Sequence, residues 1–144
     1  MLSPTILNEI MSKVYPSKIV EKTEVAEYTL EIAIERPPSF KFDAGQYIQL
    51  GVPKLLYSDP KGSSRVFSIV SSPLDKDVLR IAFRNTGSGF KRTLSELPTG
   101  SEVLVDGPFG HFVLPKKLKN ISHVFIAGGI GITPFFSMIK AAIK

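Results

Sequence analysis

Arg65, Phe67 and Ser68 stand at the start of the apolar run RVFSIV, directly after the flexible stretch DPKGSS. Further along, Arg84 and the pair Lys91-Arg92 flank TGSGF, which supplies Ser88, Gly89 and Phe90 at the opening of a helical pattern. Guanidinium groups beside a helix start, whose first N–H groups lack partners, make an anion site suited to phosphate. A third candidate lies in AGGIGITP, a glycine turn between an apolar run and a helix, with Gly129, Gly131 and Thr133. Taken singly, each basic residue reads better as a solvated charge beside a turn. The weight rests on their joint placement.

Other chemistries find little support. The 144 residues contain no cysteine, so thiolate chemistry and a disulfide framework are excluded, and a reducing compartment suits the chain. Two histidines, His111 and His123, are too few for a metal cluster. No Ser-His-Asp set or close carboxylate pair stands out. A net charge of +5 favours anionic partners without choosing among them. The strands lack the interleaved exposed aromatic and basic residues of a nucleic-acid stacking platform, so no nucleic-acid partner is expected. The uncharged run Val124 to Ile139 is shorter than the ~20 residues a spanning helix needs and is broken by glycine and proline. No membrane span and a cytoplasmic location are therefore expected.

The elements that must position these residues change period along the chain. Ser3-Pro4 can open a short helix, with Ile6, Leu7, Ile10 and Val14 on one face, giving an appendage over 1–17. From about Lys18 the period is two. Strands are predicted at Ile19 to Val25, Tyr28 to Glu35, Gln46 to Val52, Arg65 to Ser71, Val78 to Arg84 and Glu102 to Asp106, with Gly and Pro between them. Six short antiparallel strands point to a mainly β fold, a six-stranded Greek-key barrel over 18–119. Phe90, Thr93, Leu94 and Leu97 predict one helix near 89–96. After PKKLKN the pattern changes: VFIA reads as a buried strand, Thr133 as a helix N-cap, Pro134 as the first helical residue, and Phe135, Met138, Ile139 and Ala142 as one helix face. Residues 120–144 thus read as a single βα unit. Its apolar helix, 134–144, is expected to pack on its own barrel, on a second copy or on another domain.

RVFSIVSSP resembles the Arg-x-Tyr-Ser signature of the ferredoxin–NADP reductase-like flavoproteins. FDAGQYIQL resembles the preceding strand of that family, and TGSGFKRTLSELPTGSEVLVDGPFGHFVLP its flavin-phosphate helix and Gly-Pro-x-Gly-x-Phe turn. AGGIGITPFFSMI resembles the opening of its NAD(P)-binding domain. The resemblance covers about residues 18–144 with the motifs in order, and it implies an FAD-binding FR-type barrel. It also implies that 120–144 is the first, incomplete part of an NAD(P)-binding domain, too little for NAD(P)H turnover by these residues alone. Arg65 would neutralise a flavin phosphate, and Ser68, the implied catalytic residue, would bond the flavin near its hydride-accepting nitrogen. Phe67, in place of the family's tyrosine, would stack on the flavin or serve as a core residue. Gly89, Phe90 and Lys91 would present backbone N–H groups to the pyrophosphate, with Ser88 there or capping the helix. Arg84 would reach the flavin edge or simply end a strand. Gly129, Gly131 and Thr133 would lie near the NAD(P)H pyrophosphate. The implied cofactor is FAD rather than FMN, because GSGFK offers a second phosphate site, and the implied activity passes electrons from NAD(P)H through FAD to an acceptor. The alternative is a barrel of the same shape with a binding or regulatory role and no turnover.

Overall fold

The computed structural model describes residues 13–115 and 122–143; the predicted helix near Ser3-Pro4 lies outside them. The six strands predicted before residue 119 all form, as β1 (Val14–Ala26), β2 (Thr29–Glu35), β3 (Tyr47–Gly51), β4 (Ser64–Ser68), β5 (Val78–Arg84) and β6 (Glu102–Phe109). They join as one six-stranded sheet in the order β4-β3-β6-β1-β2-β5, antiparallel at every pairing. The two outer strands also meet. Ile69, just past β4, bridges to Ile81 of β5, and Val70 N–H donates to Arg80 O at 2.7 Å. The sheet thereby curls until its two outer strands meet at one point.

Alternation decides which residues face inward. VLRIAFR buries Leu79, Ile81 and Phe83 and turns the intervening residues outward. Ile19, Ile32, Ile34, Ile48, Leu50, Val103 and Val105 complete the interior with them. β1 starts earlier than its pattern suggested. Val14 to Lys18 pair with β6, so Val14 lies on a strand and not on the face of a helical appendage over 1–17. Pro16 fits strand geometry and would break a helix, and the buried Ser17 hydroxyl donates to Glu35 O.

One helix, α1 (Gly89–Glu96), packs into the barrel. Its Phe90 and Leu94 are fully buried in the same apolar cluster, Thr93 is buried beside them, and Leu97 packs against the cluster. The final region departs from expectation. Val124 to Ala127 form no strand and pair with nothing among the described residues; Val124 and Ile126 are 83% and 87% exposed. An apolar run becomes a strand only where a neighbouring strand takes its hydrogen bonds, and none is beside it here. A 3-10 turn (Gly129–Ile132) then leads into α2 (Thr133–Ala142).

α2 does pack on the barrel, through part of the predicted face, Met138 and Phe135, joined by Thr133 and Ser137. Thr133, Ser137 and Met138 are buried, whereas Ile139 and Ala142 are exposed. Ser137 Oγ donates to Ser71 O at 2.6 Å, and the Phe135 ring meets Phe112 edge-on at 5.7 Å. Gly45, with φ of +105°, makes the fit possible: a Cβ there would lie 2.0 Å from Phe112 O and 2.5 Å from Met138 Cε. Thr133 is not the N-cap; it is the first residue of α2, and its hydroxyl donates back to Ile130 O at 3.0 Å. The 3-10 turn ahead of it carries the chain into the helix without a side-chain cap.

Candidate functional site

The loop between β3 and β4 is fastened to α1 at three points. Thr93 Oγ1 accepts from Leu56 N–H at 3.0 Å and from Tyr57 N–H at 3.3 Å. The Tyr57 hydroxyl donates to Glu96 at 2.5 Å. Asp59 Oδ2 accepts from Phe90 N–H, in the first turn of α1, at 2.9 Å. Loop and helix touch so closely that a Cβ on Gly89 would lie 2.2 Å from Ser58 O.

Arg65 is held from this loop. Its Nη2 lies 2.6 Å from Asp59 Oδ1, and its Nη1 donates to the carbonyls of Ser64, Lys61 and Gly62 at 2.6, 3.0 and 3.1 Å. The guanidinium carbon stands 5.2 Å from the centre of the Phe90 ring, within cation–π range. Arg65 therefore sits fixed beside the α1 N-terminus with 19% of its side chain exposed. Asp59 is only 3% exposed. Hydrogen bonds from the Phe90 and Lys61 amides, with Arg65 adding to them, hold its carboxyl below the usual carboxylate range.

Lys91 arrives from the other side. Its ammonium donates to Arg84 O at 3.0 Å and lies 3.4 Å from Thr86 Oγ1. Burial, then the neighbouring Arg65 charge, lowers its pKa. Asp59, Lys61, Arg65, Thr86, Ser88, Gly89 and Lys91 line one cleft of about 490 Å³. Five of the predicted residues therefore converge with Phe90: Arg65, Ser88, Gly89 and Lys91 line the cleft, and Arg84 meets it through its carbonyl. Three cations and one carboxylate give the lining a positive balance suited to an anionic phosphate.

A second cleft, about 760 Å³, opens on the far side of Arg84 between β2, β5 and the glycine turn. Val70, Ala82, Ile130, Ile132 and Phe136 make it largely apolar, with Glu31, Arg84 and Lys140 also lining it. Gly129 and Thr133 line it too, and a Cβ on Gly128, Gly129 or Gly131 would meet nothing within 4 Å, so the glycine turn borders open space. Arg84 lines the apolar cleft and its carbonyl accepts from Lys91 of the cationic one; one polar and one apolar cleft suit a ligand with a phosphate end and a flat aromatic end.

Four expectations change. Two of the three named α1 amides are taken: Phe90 N–H by Asp59 and Lys91 N–H by the Ser88 hydroxyl, a side-chain cap at 3.3 Å. A phosphate here meets side-chain cations before it meets the helix start. Phe67 is 7% exposed and its ring lies between Phe83 and Phe90, at 5.8 and 6.2 Å, so it serves the core. A phenyl without a hydroxyl on the inward side of β4 has nothing to draw it out. The Gly131 N–H is spent within its own turn on Gly128 O, and the Thr133 hydroxyl on Ile130 O. Ser68 ends β4 opposite Tyr47, half-buried, and lines neither cleft. Sequence reasoning missed Asp59 and Thr93. The only available signal was Asp59 in a Pro-Gly turn shortly before Arg65.

No protein-family model matches the chain. Among curated proteins it is 30% identical over 142 residues to the CDP-6-deoxy-L-threo-D-glycero-4-hexulose-3-dehydrase reductase of Yersinia pseudotuberculosis, covering 96% of this chain and 40% of that one. Among solved structures it matches phthalate dioxygenase reductase with a TM-score of 0.74 and 27% identity, over 90% of this chain and 40% of the other. A ferredoxin NADP+ reductase from Neisseria gonorrhoeae with bound FAD and NADP matches with a TM-score of 0.68 and 25% identity, over 90% and 52%. The fold is that of these flavoprotein reductases. The chain belongs to the ferredoxin–NADP reductase-like flavoproteins, whose FAD-binding FR-type domain it matches. It spans 29% to 40% of the length of the first curated relatives.

Proposed function

We propose that this chain is the flavin-binding module of an NAD(P)H-dependent oxidoreductase and that the flavin is FAD. The observation that carries the reading is the cleft where Arg65, Lys61 and Lys91 converge on α1, with Arg84, whose carbonyl holds Lys91, lining an apolar cleft. Arg65, Lys61 and Lys91 hold the pyrophosphate, and Ser88 completes the helix start beside them. Val70, Ala82, Ile130 and Phe136 cover the ring system and exclude water from it. Bound there, the flavin would accept a hydride from a nicotinamide and release electrons to an acceptor. Ser68 lines neither cleft, and a contact between it and the ring is proposed from the family resemblance, two residues before Val70. The glycine turn at 129–131 and Thr133 border the side from which the nicotinamide nucleotide enters.

The electron acceptor is proposed to be a protein or a further domain, in keeping with a relative described as a phthalate dioxygenase reductase that carries electrons from pyridine nucleotides to [2Fe-2S]. Among the described residues no helix is long and apolar enough to cross a membrane, and a cysteine-free chain suits the cytoplasm.

The test is FAD titration, followed by the flavin spectrum, into wild-type protein and Arg65→Ala. Losing a charged phosphate contact costs about 2–3 kcal/mol, or roughly 30- to 150-fold in affinity. Arg65→Lys, which keeps the charge without the fork, should fall between them. Equal affinity in all three proteins refutes the assignment of Arg65.

A further inference from the structure

Asp59 holds the donors that a phosphate would seek. One carboxylate oxygen lies 2.6 Å from the Arg65 guanidinium and accepts from Lys61 N–H at 2.9 Å; the other accepts from Phe90 N–H at 2.9 Å. A guanidinium paired with a helix-start amide is a donor set that suits a phosphate. We infer that Asp59 is an internal competitor for the phosphate cleft: its carboxylate engages Arg65 and the α1 N-terminus, stabilises the barrel there, and lowers the affinity of the cleft for an incoming phosphate. The inference rests on the flavin reading above and names a residue that tunes it.

The sign follows from charge and burial. The charged groups lining the cleft are Lys61, Arg65 and Lys91 against Asp59. At 3% exposure, Asp59 is little screened by water, so its charge acts on any anion placed beside Arg65. An entering pyrophosphate must share the guanidinium with the carboxylate or push it off, and either course costs affinity. The same contacts oppose removal of Asp59, because they satisfy an α1 amide and the Arg65 charge. The structure thus assigns Asp59 two opposite effects, one on stability and one on binding. A residue that only positions Arg65 would have both in the same direction.

Asp59→Asn separates the two. The amide keeps the shape and an oxygen that can accept from Phe90 N–H, and removes the charge. Asp59→Ser, with a hydroxyl acceptor, serves if Asn fails to fold. FAD and inorganic pyrophosphate are titrated into wild type and variant, and both proteins are melted without ligand. The expected result is binding of both ligands on the order of tenfold tighter in the variant, from the loss of one like charge in a poorly screened site, together with a lower melting temperature. Weaker binding in the variant overturns the inference and makes Asp59 a positioning residue for Arg65. Unchanged binding also overturns it, because the carboxylate is then not in the way. If wild type binds pyrophosphate but not FAD, the flavin reading fails, and Asp59 is judged on pyrophosphate alone. If neither ligand binds either protein, both readings fall.

Discussion

Gly89→Ala gives a sharp test of how the site is built. Gly89 is the first residue of α1, where alanine would ordinarily favour the helix by about 1 kcal/mol. Here the added Cβ would fall 2.2 Å from Ser58 O and 2.7 Å from both Ser58 C and Tyr57 O. These are backbone atoms, so no side chain can swing away. The β3–β4 loop must retreat by about 1 Å to reach ordinary contact. That retreat pulls Asp59 from Phe90 N–H and loosens Arg65. Overpacking of this kind costs typically 1–3 kcal/mol, and the strained hydrogen bond adds about 1 kcal/mol. Against the helix gain, a net loss of about 1–3 kcal/mol is expected. For a chain of this length that lowers the melting temperature by roughly 3–10 °C. The assay is thermal unfolding followed by far-UV circular dichroism. Gly128→Ala is the control, because its φ of −116° suits alanine and its Cβ would meet nothing within 4 Å. Gly89→Ala at or above wild-type stability would refute the close approach of loop and helix. Combining Gly89→Ala with Asp59→Asn should give less than the sum of the two losses, since both break the same contact.

Thr93→Val keeps the volume but removes the acceptor for Leu56 and Tyr57 N–H, and should cost about 1–2 kcal/mol in a urea titration. It should also weaken FAD binding, because the loop carries Lys61 and the carbonyls that fix Arg65. Met138→Ala should release α2 before it affects the barrel, with amide exchange in 134–142 accelerating on the order of tenfold or more while the β-strand amides hold. Asp59 titrates below its ordinary value of 3.8 in the folded chain, so its contribution is complete above that value and is lost as pH falls through the folded pKa. The groups facing it are Arg65, Lys61 and Lys91. The urea midpoint should therefore fall as pH drops from 6 to below 3.8, and fall less in Asp59→Asn.

The strands were legible because their faces differ. VLRIAFR alternates along its whole length, and burial follows it residue by residue. TLEIAIE was placed correctly, although Ile32, Ala33 and Ile34 are all buried. α1 was legible through Phe90, Thr93 and Leu94, and Ser88 as its cap. Contacts that join distant segments were not legible. Nothing in SDPKGSS says that its aspartate, rather than its lysine, reaches the helix start, and nothing in FKRTL says that Thr93 takes two loop amides. Phe67 was readable in two ways because a strand residue near a cleft can face either side, and only neighbours decide. The apolar run VFIA misled because strand formation depends on a partner strand as well as on composition.

β1 belongs to both halves of the sheet: Val14 to Lys18 pair with β6, and Ile19 to Ala26 with β2, with register shifts at Ile19/Glu21 and Glu24/Ala26 in the second stretch. The second half finds its partner across a two-residue turn, while the first waits for a strand from the far end of the barrel. During synthesis the hairpin β1–β2 can form early, yet its leading end stays unpaired until Glu102–Phe109 has left the ribosome. Contacts of such long sequence separation slow folding, so barrel closure should be the late kinetic step. The interval before it exposes an unpaired strand end, which makes that end of β1 the place where a nascent chain is most open to chaperones or to pairing with another copy.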